Sequence, residues 1–148
     1  MKILALTILF ILAFLRVRNT PCALSKTLWK NKMIKQLKNN EKQNGGKPYS
    51  DEMQDEMQGA TILLTFLIEL FLIIFYIVLG NKIGTTEFII MSALQVFTCL
   101  WCLCVNISEF KSAFSYNVED HKFHRFQLLF NLILDYVYYP YAIYMLLK

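Results

Sequence analysis

Long apolar runs separated by short polar stretches form the main pattern along the chain. Three of them, residues 60–79, 88–107 and 126–147, are each about twenty residues long and contain at most one charged side chain. An α-helix of this length crosses the ~30 Å hydrocarbon core of a bilayer. The runs therefore predict three transmembrane helices, and Gly80-Asn81 is expected to end the first of them.

A shorter apolar run, residues 3–15, stands at the start of the sequence and admits three interpretations. Its thirteen residues give roughly 20 Å of helix, less than the hydrocarbon core. Arg16 and Arg18 follow directly, and no cleavage site of the A-x-A type comes after them. We expect residues 1–18 to be an uncleaved signal anchor or a short transmembrane helix. A cleaved signal peptide and an interfacial helix are the alternatives.

Composition supports the membrane interpretation. Of the 148 residues, 56% are hydrophobic and 18% are charged, whereas soluble domains average about 45–50% and 25%. One core of this size cannot bury the excess, so lipid or other chains must cover it. We therefore predict an all-α, polytopic integral membrane bundle. Its parts are the N-terminal helix 1–18, a basic cytoplasmic linker 19–59 that contains an amphipathic helix, and a three-helix transmembrane bundle over 60–148.

Basic side chains are distributed unequally between the two sides of the predicted bundle. Of the fifteen Lys and Arg residues, twelve fall in the linkers 16–59 and 108–125, and the opposite side holds only Lys2, Lys82 and Lys148. Cytoplasmic loops carry an excess of such residues. Both linkers are therefore expected in the cytoplasm, with the C-terminus outside the plasma (cytoplasmic) membrane. Arginine, which suits phosphate and base recognition, is scarce here, so no nucleic-acid partner is expected.

The first linker predicts a basic helix that begins after Ser25, a good N-cap residue. Trp29 lies on its apolar side, and lysines surround that side, among them Lys26, Lys30 and Lys35. A basic helix with this pattern fits the inner surface of a membrane and binds anionic lipid; alternatively it serves only to fix the topology. The tandem DEMQ repeat at 51–58 is expected to begin the next helix.

Polar side chains recur at helical spacing inside the three apolar runs. In the last run they are four residues apart, and in the middle run they follow a 3-4-3-4 spacing that is typical of a helix–helix seam. Lipid does not solvate polar groups, so we expect these stripes to face one another inside the bundle. The candidate intramembrane positions are Glu69, Gln95, Gln127, Asn131 and Asp135.

Two acids, Glu69 and Asp135, lie near mid-bilayer by residue count, and the pattern places no Lys or Arg at the same depth. An unpaired carboxylate is costly there. We expect at least one acid to be protonated, or each to accept hydrogen bonds from Gln95, Tyr76, Tyr138 or a partner's basic group. Their amide isosteres, Glu69→Gln and Asp135→Asn, are then tolerated. The acids serve as contacts between helices or with a partner, or as part of an ion or proton path.

Cys99 and Cys102 have the C-x-x-C spacing of a redox pair, and the size and helix count are similar to those of quinone-linked membrane thiol oxidoreductases. That resemblance implies a reactive pair at the outer face and a second pair in a loop. Here Cys102 and Cys104 approach the inner face, and Cys22 stands alone. The loop before the last run lacks the firm spacing of a metal site, although it contains Glu119, Asp120, His121 and His124. We expect neither a metal nor a cofactor.

These features favour a non-enzymatic membrane component. The preferred function is an accessory subunit or partner-binding protein that contacts a protein partner, or further copies of itself, through its polar helix faces. A holin-like oligomer that forms a pore or permeabilises the membrane is the first alternative, because the polar stripes would then line water. A membrane enzyme that uses the thiols or the buried acids is the second.

The orientation generates a direct prediction at Asn106, which begins a formal N-glycosylation sequon with Ile107 and Ser108. The charge rule places Asn106 at the inner face, close to the membrane. We expect no glycan when the protein is expressed in a eukaryotic host, as checked by glycosidase digestion and mass spectrometry. A glycan on Asn106 would reverse the predicted orientation.

Overall fold

The computed structural model describes residues 2–43, 51–108 and 122–148. Within these ranges the chain forms five α-helices and no strand, so the all-α prediction is confirmed. The helices are α1 (Lys2–Leu24), α2 (Lys26–Gln43), α3 (Asp51–Ile83), α4 (Thr86–Ser108) and α5 (Arg125–Leu147). As expected, α3 begins at the DEMQ repeat.

Three helices in the described part of the chain are long and apolar enough to cross a membrane. They are α1, the stretch Leu63–Ile83 of α3 and the stretch Thr86–Asn106 of α4. The last two agree with the predicted runs. α1 is longer than its apolar run, because the helix continues through Arg16 and Arg18 to its end. Its 23 residues make about 34 Å of helix, which is enough for a crossing.

The third predicted run, 126–147, forms α5 but is not among these three helices. Length is not the reason, since α5 also has 23 residues. Its amide, carboxyl and tyrosine side chains lower its mean hydropathy, and several of them are buried inside the bundle, namely Gln127, Asp135, Tyr138 and Tyr139. By length and composition, the three candidate spans are therefore the N-terminal helix and the predicted runs 60–79 and 88–107. The predicted run 126–147 is not among them.

Two antiparallel helix pairs make up the bundle. α3 and α4 form one hairpin, α1 packs along α5, and α4 joins the two pairs through α5. The direction of α1 follows from its contacts: Leu9 shares the core with Leu146, near the end of α5, whereas Thr20 hydrogen-bonds Tyr136, near its middle. The core cluster contains Leu9, Tyr76, Leu79, Phe88, Cys99, Tyr138, Tyr139, Ala142 and Leu146.

Ser25 is the single residue between α1 and α2, and it caps α2 as expected. The backbone N–H of Leu28 donates to Ser25 Oγ at 3.4 Å. Lys32 Nζ donates to Asn19 Oδ1 at 2.8 Å, which ties the basic helix back to the end of α1.

The turn between α3 and α4 lies later than the sequence pattern indicates. α3 does not break at Gly80-Asn81 but runs on to Ile83, and Gly84 adopts the left-handed conformation with φ 72°. The Gly84 N–H donates to the Gly80 carbonyl oxygen at 2.9 Å, which closes the helix. Gly80 has a different role: a Cβ there would lie 3.0 Å from both Cβ and Oγ of Ser92. It allows α3 and α4 to approach closely.

We expect Gly80→Val to destabilise the hairpin by about 1–3 kcal/mol, because the added atoms collide with Ser92 and nothing flexible can give way. Thermal unfolding of the purified protein in mild detergent measures the effect. Ala93→Val is a matched control, since Ala93 is exposed on α4. Equal stability of the two variants would contradict the close approach at Gly80.

Candidate functional site in the bundle interior

Asp135 on α5 is the centre of a polar network inside the bundle. Only 2% of its surface is exposed. Gln95 Nε2, from α4, donates to Asp135 Oδ1 at 2.9 Å. The Arg16 guanidinium, from α1, forms an ion pair with Asp135 Oδ2. Three helices thus converge on one carboxylate.

The expectation that no basic side chain reaches the depth of Asp135 is wrong. Arg16 was assigned to the linker because the apolar run ends at residue 15, but α1 continues and its antiparallel course beside α5 brings the two side chains together. Removing the partner of a buried charge strongly destabilises the folded protein. The expected tolerance of Asp135→Asn therefore no longer follows, because that change leaves Arg16 facing a neutral amide.

Tyrosine hydroxyls extend the network to α3. The Tyr76 and Tyr139 hydroxyls lie 3.1 Å apart, and either can be the donor. Tyr139 lies one turn beyond Asp135 on the same side of α5. All four long helices therefore contribute polar side chains to this part of the interior. Next to it, Ser92 Oγ and the Tyr138 hydroxyl are 3.0 Å apart.

A second polar contact lies nearer the start of α5. Gln127 Nε2 and Asn131 Nδ2 each approach Cys102 Sγ at 3.3 Å. Two amide donors from α5 therefore meet one thiol from α4. Together with the Gln95–Asp135 bond, these contacts show that the predicted stripes of α4 and α5 face each other.

Glu69 has a different environment from Asp135. It lies on α3 and is half-buried. Its polar neighbour is the thiol of Cys99 on α4, a weak donor. The sequence pattern does not distinguish the two acids. In the structure only Asp135 has strong partners, namely Arg16 and Gln95.

The two cysteines of the C-x-x-C motif bond to different groups. Cys99 contacts Glu69, Cys102 contacts the α5 amides, and all four cysteines of the chain are free thiols. The described residues contain no cluster of three or more metal-ligating side chains. Three members of the loop discussed above, at 119–121, lie outside the described residues.

The predicted interfacial residues lie at the end of the bundle where α2 and α5 begin. Lys26 and Lys35 are exposed, whereas Trp29 and Lys30 are half-buried. The Trp29 ring packs against Phe123 with a centroid distance of 5.5 Å. An open cleft of about 330 Å³ lies beside this contact. Its walls are basic and apolar, formed by Leu24, Ser25, Lys26, Phe123 and Arg125.

Sequence reasoning missed three polar side chains that make contacts in or beside the bundle interior: Arg16, Thr20 and Thr98. The Thr98 hydroxyl donates to the Gln95 carbonyl oxygen at 2.8 Å, within α4. Thr20 lies 3.0 Å from the Tyr136 hydroxyl. Arg16 and Thr20 are four residues apart and so share one side of α1. This spacing would have indicated a polar side of α1 if the predicted helix had been extended beyond residue 15.

The chain matches no protein-family model, and neither a curated protein nor a solved structure is significantly similar to it.

We expect Arg16→Gln and Asp135→Asn each to destabilise the bundle by about 3 kcal/mol, because each leaves a buried charge without its partner. The double variant should lose clearly less than the sum, since both charges are then gone. Thermal unfolding and membrane abundance measure the cycle. Arg18→Gln, at an exposed position, is the control and should be silent. Strictly additive losses would contradict a direct ion pair.

Proposed function

We propose that this is a small integral membrane protein that works as an accessory subunit or partner-binding component of a membrane complex. The observation that carries the proposal is the inverted distribution of side chains. Asp135 and Gln95 are each 2% exposed, whereas Phe14, Leu63 and Ile90 are 68%, 60% and 57% exposed. Water would favour the opposite arrangement, and lipid or another apolar surface favours this one.

In this proposal α1, α3, α4 and α5 all cross the bilayer. α5 crosses despite its polar composition because its polar side faces the bundle, while its exposed side carries Phe126, Ile133 and Val137. Residues 1–18 then belong to a retained anchor helix. They are followed by the cytoplasmic linker 19–59 with its interfacial helix, and by the transmembrane helices of 60–148.

The charges favour one orientation of this bundle. Arg18, Lys26 and Arg125 lie at the end where α1 finishes and α5 begins, together with the lysines of α2. Among the described residues, the basic side chains at the opposite end are Lys2, Lys82 and Lys148. The positive-inside rule assigns the first end to the cytoplasm of the plasma membrane. Anionic lipid headgroups suit the basic cleft beside Lys26 and Arg125.

The use of the polar side chains favours a subunit over a pore. In a holin-like oligomer the stripes line water, but here they bond to one another within a single chain. Gln95 hydrogen-bonds Asp135, and Arg16 forms an ion pair with the same carboxylate. Redox catalysis by Cys99 and Cys102 has no comparable support, because the two thiols bond to separate groups.

We expect expression of the protein alone to leave the membrane potential intact, because the polar interior offers no path for water. A potential-sensitive dye in intact cells measures this. The protein should also stay in the membrane fraction after alkaline carbonate extraction, and it should elute from mild detergent above its own mass when isolated from its native host.

Two outcomes would contradict this proposal. Rapid dye loss that Asp135→Asn abolishes would identify a conducting assembly. Release into the supernatant by carbonate would exclude an integral membrane protein.

A further inference from the structure

The charges inside the bundle do not balance. Two carboxyl side chains, Glu69 and Asp135, lie in the apolar stretches of the long helices, and one basic side chain, Arg16, reaches into the same interior. Arg16 forms its ion pair with Asp135. Among the described residues, Glu69 forms no ion pair, and its polar neighbour is the Cys99 thiol of α4. One intramembrane acid is left without a strong partner.

Glu69 also lies at the edge of the surface that α3 presents to its surroundings. Phe66, Leu70 and Ile77 are 46%, 41% and 48% exposed, and Ile73 between them is half-buried. The spacing 66, 70, 73, 77 alternates between four and three residues, which is the spacing of a side of a helix that packs along another helix. We call Phe66, Glu69, Leu70, Ile73 and Ile77 the Glu69 seam.

Ile73 packs against the core from the inner edge of this seam, whereas Phe66, Leu70 and Ile77 stay exposed in the described chain. α3 packs along α4, α1 packs along α5, and α1 and α3 make no extended contact with each other. The surface is therefore apolar, elongated and bordered by an acid. Lipid can cover its apolar side chains but cannot neutralise the carboxyl group.

We propose that the Glu69 seam binds a transmembrane helix of a partner protein, and that this helix carries an Arg or Lys at the depth of Glu69. The inference rests on the proposed function and specifies the chemistry of its partner. Only a helix can reach this depth with its own backbone hydrogen bonds satisfied. The occupant is basic because of charge complementarity. The chain already uses the same chemistry internally, where Arg16 of α1 meets Asp135 of α5.

A second copy of this chain is a poorer occupant. Its own intramembrane base, Arg16, is held by Asp135, and its other basic residues lie at helix ends or in linkers. Two Glu69 seams placed together would bring two acids into contact without a base. The partner is therefore a different chain.

The test uses the full-length protein, labelled at its C-terminus with a donor fluorophore, in phosphatidylcholine vesicles. The probes are acceptor-labelled leucine-alanine transmembrane peptides with Arg, Gln, Glu or Leu at one central position. We expect the Arg peptide to bind about ten-fold more tightly than the Leu peptide, as measured by energy transfer against peptide density. The Glu peptide should bind no better than the Leu peptide.

Three variants locate the binding. Glu69→Gln should reduce binding of the Arg peptide to that of the Leu peptide, whereas Glu69→Asp should retain most of it. Glu87→Gln is the matched control, because Glu87 is exposed in the first turn of α4, and it should change nothing. Monodisperse elution in detergent and unchanged thermal unfolding confirm that each variant is folded.

Equal binding of the Arg and Leu peptides would overturn the proposal, as would undiminished binding by folded Glu69→Gln. Energy transfer between donor- and acceptor-labelled copies of this chain that Glu69→Gln abolishes would also overturn it, because the seam would then bind a second copy. These outcomes are separate from failure of the proposed function, which the dye and carbonate experiments detect without reference to Glu69.

Discussion

The ion pair between Arg16 and Asp135 determines how the remaining helices are arranged. Neither charge tolerates an apolar medium alone, so α1 and α5 must lie side by side with their polar sides in contact. Gln95 bonds to the other carboxylate oxygen and brings in α4. Tyr139, one turn further along α5, bonds to Tyr76 on α3. The positions of α1, α4 and α5 thus follow from one carboxylate and its need for partners.

The same network explains why α5 is unusual. A helix with an acid, two amides and five tyrosines is not apolar enough to be recognised as a span from its mean hydropathy. Its central polar groups are nevertheless enclosed, since Asp135, Tyr138 and Tyr139 are almost fully buried. They lie on the side that faces the other helices, where Arg16, Ser92 and Tyr76 are their partners. Average hydropathy and burial therefore give different information about α5.

Much of the architecture could be derived from local patterns. The helical class, the start of α3, the Ser25 cap and the meeting of the α4 and α5 stripes all depend on neighbours within a few turns or on periodicity. The role of Arg16 could not be derived this way, because it depends on where α1 ends and on a helix far along the sequence. The same reason applies to Gly80, for which the sequence pattern predicts a helix end. Its lack of a side chain instead allows α3 to approach Ser92 on α4 closely. The difference between Glu69 and Asp135 is likewise a property of the assembled bundle.

The pairing of α1 with α5 has a consequence for biogenesis. The contact between Thr20 and Tyr136 joins residues 116 positions apart, and Arg16 meets Asp135 across a similar separation. In the proposed membrane topology, α1 enters the membrane before the ribosome has made α5, so its arginine must wait at the insertion machinery or near the lipid headgroups. The bundle then closes only after α3 and α4 have been inserted as well. Assembly is therefore a late event, and a chain truncated before α5 retains an unmatched positive charge that quality-control proteases of the membrane can recognise.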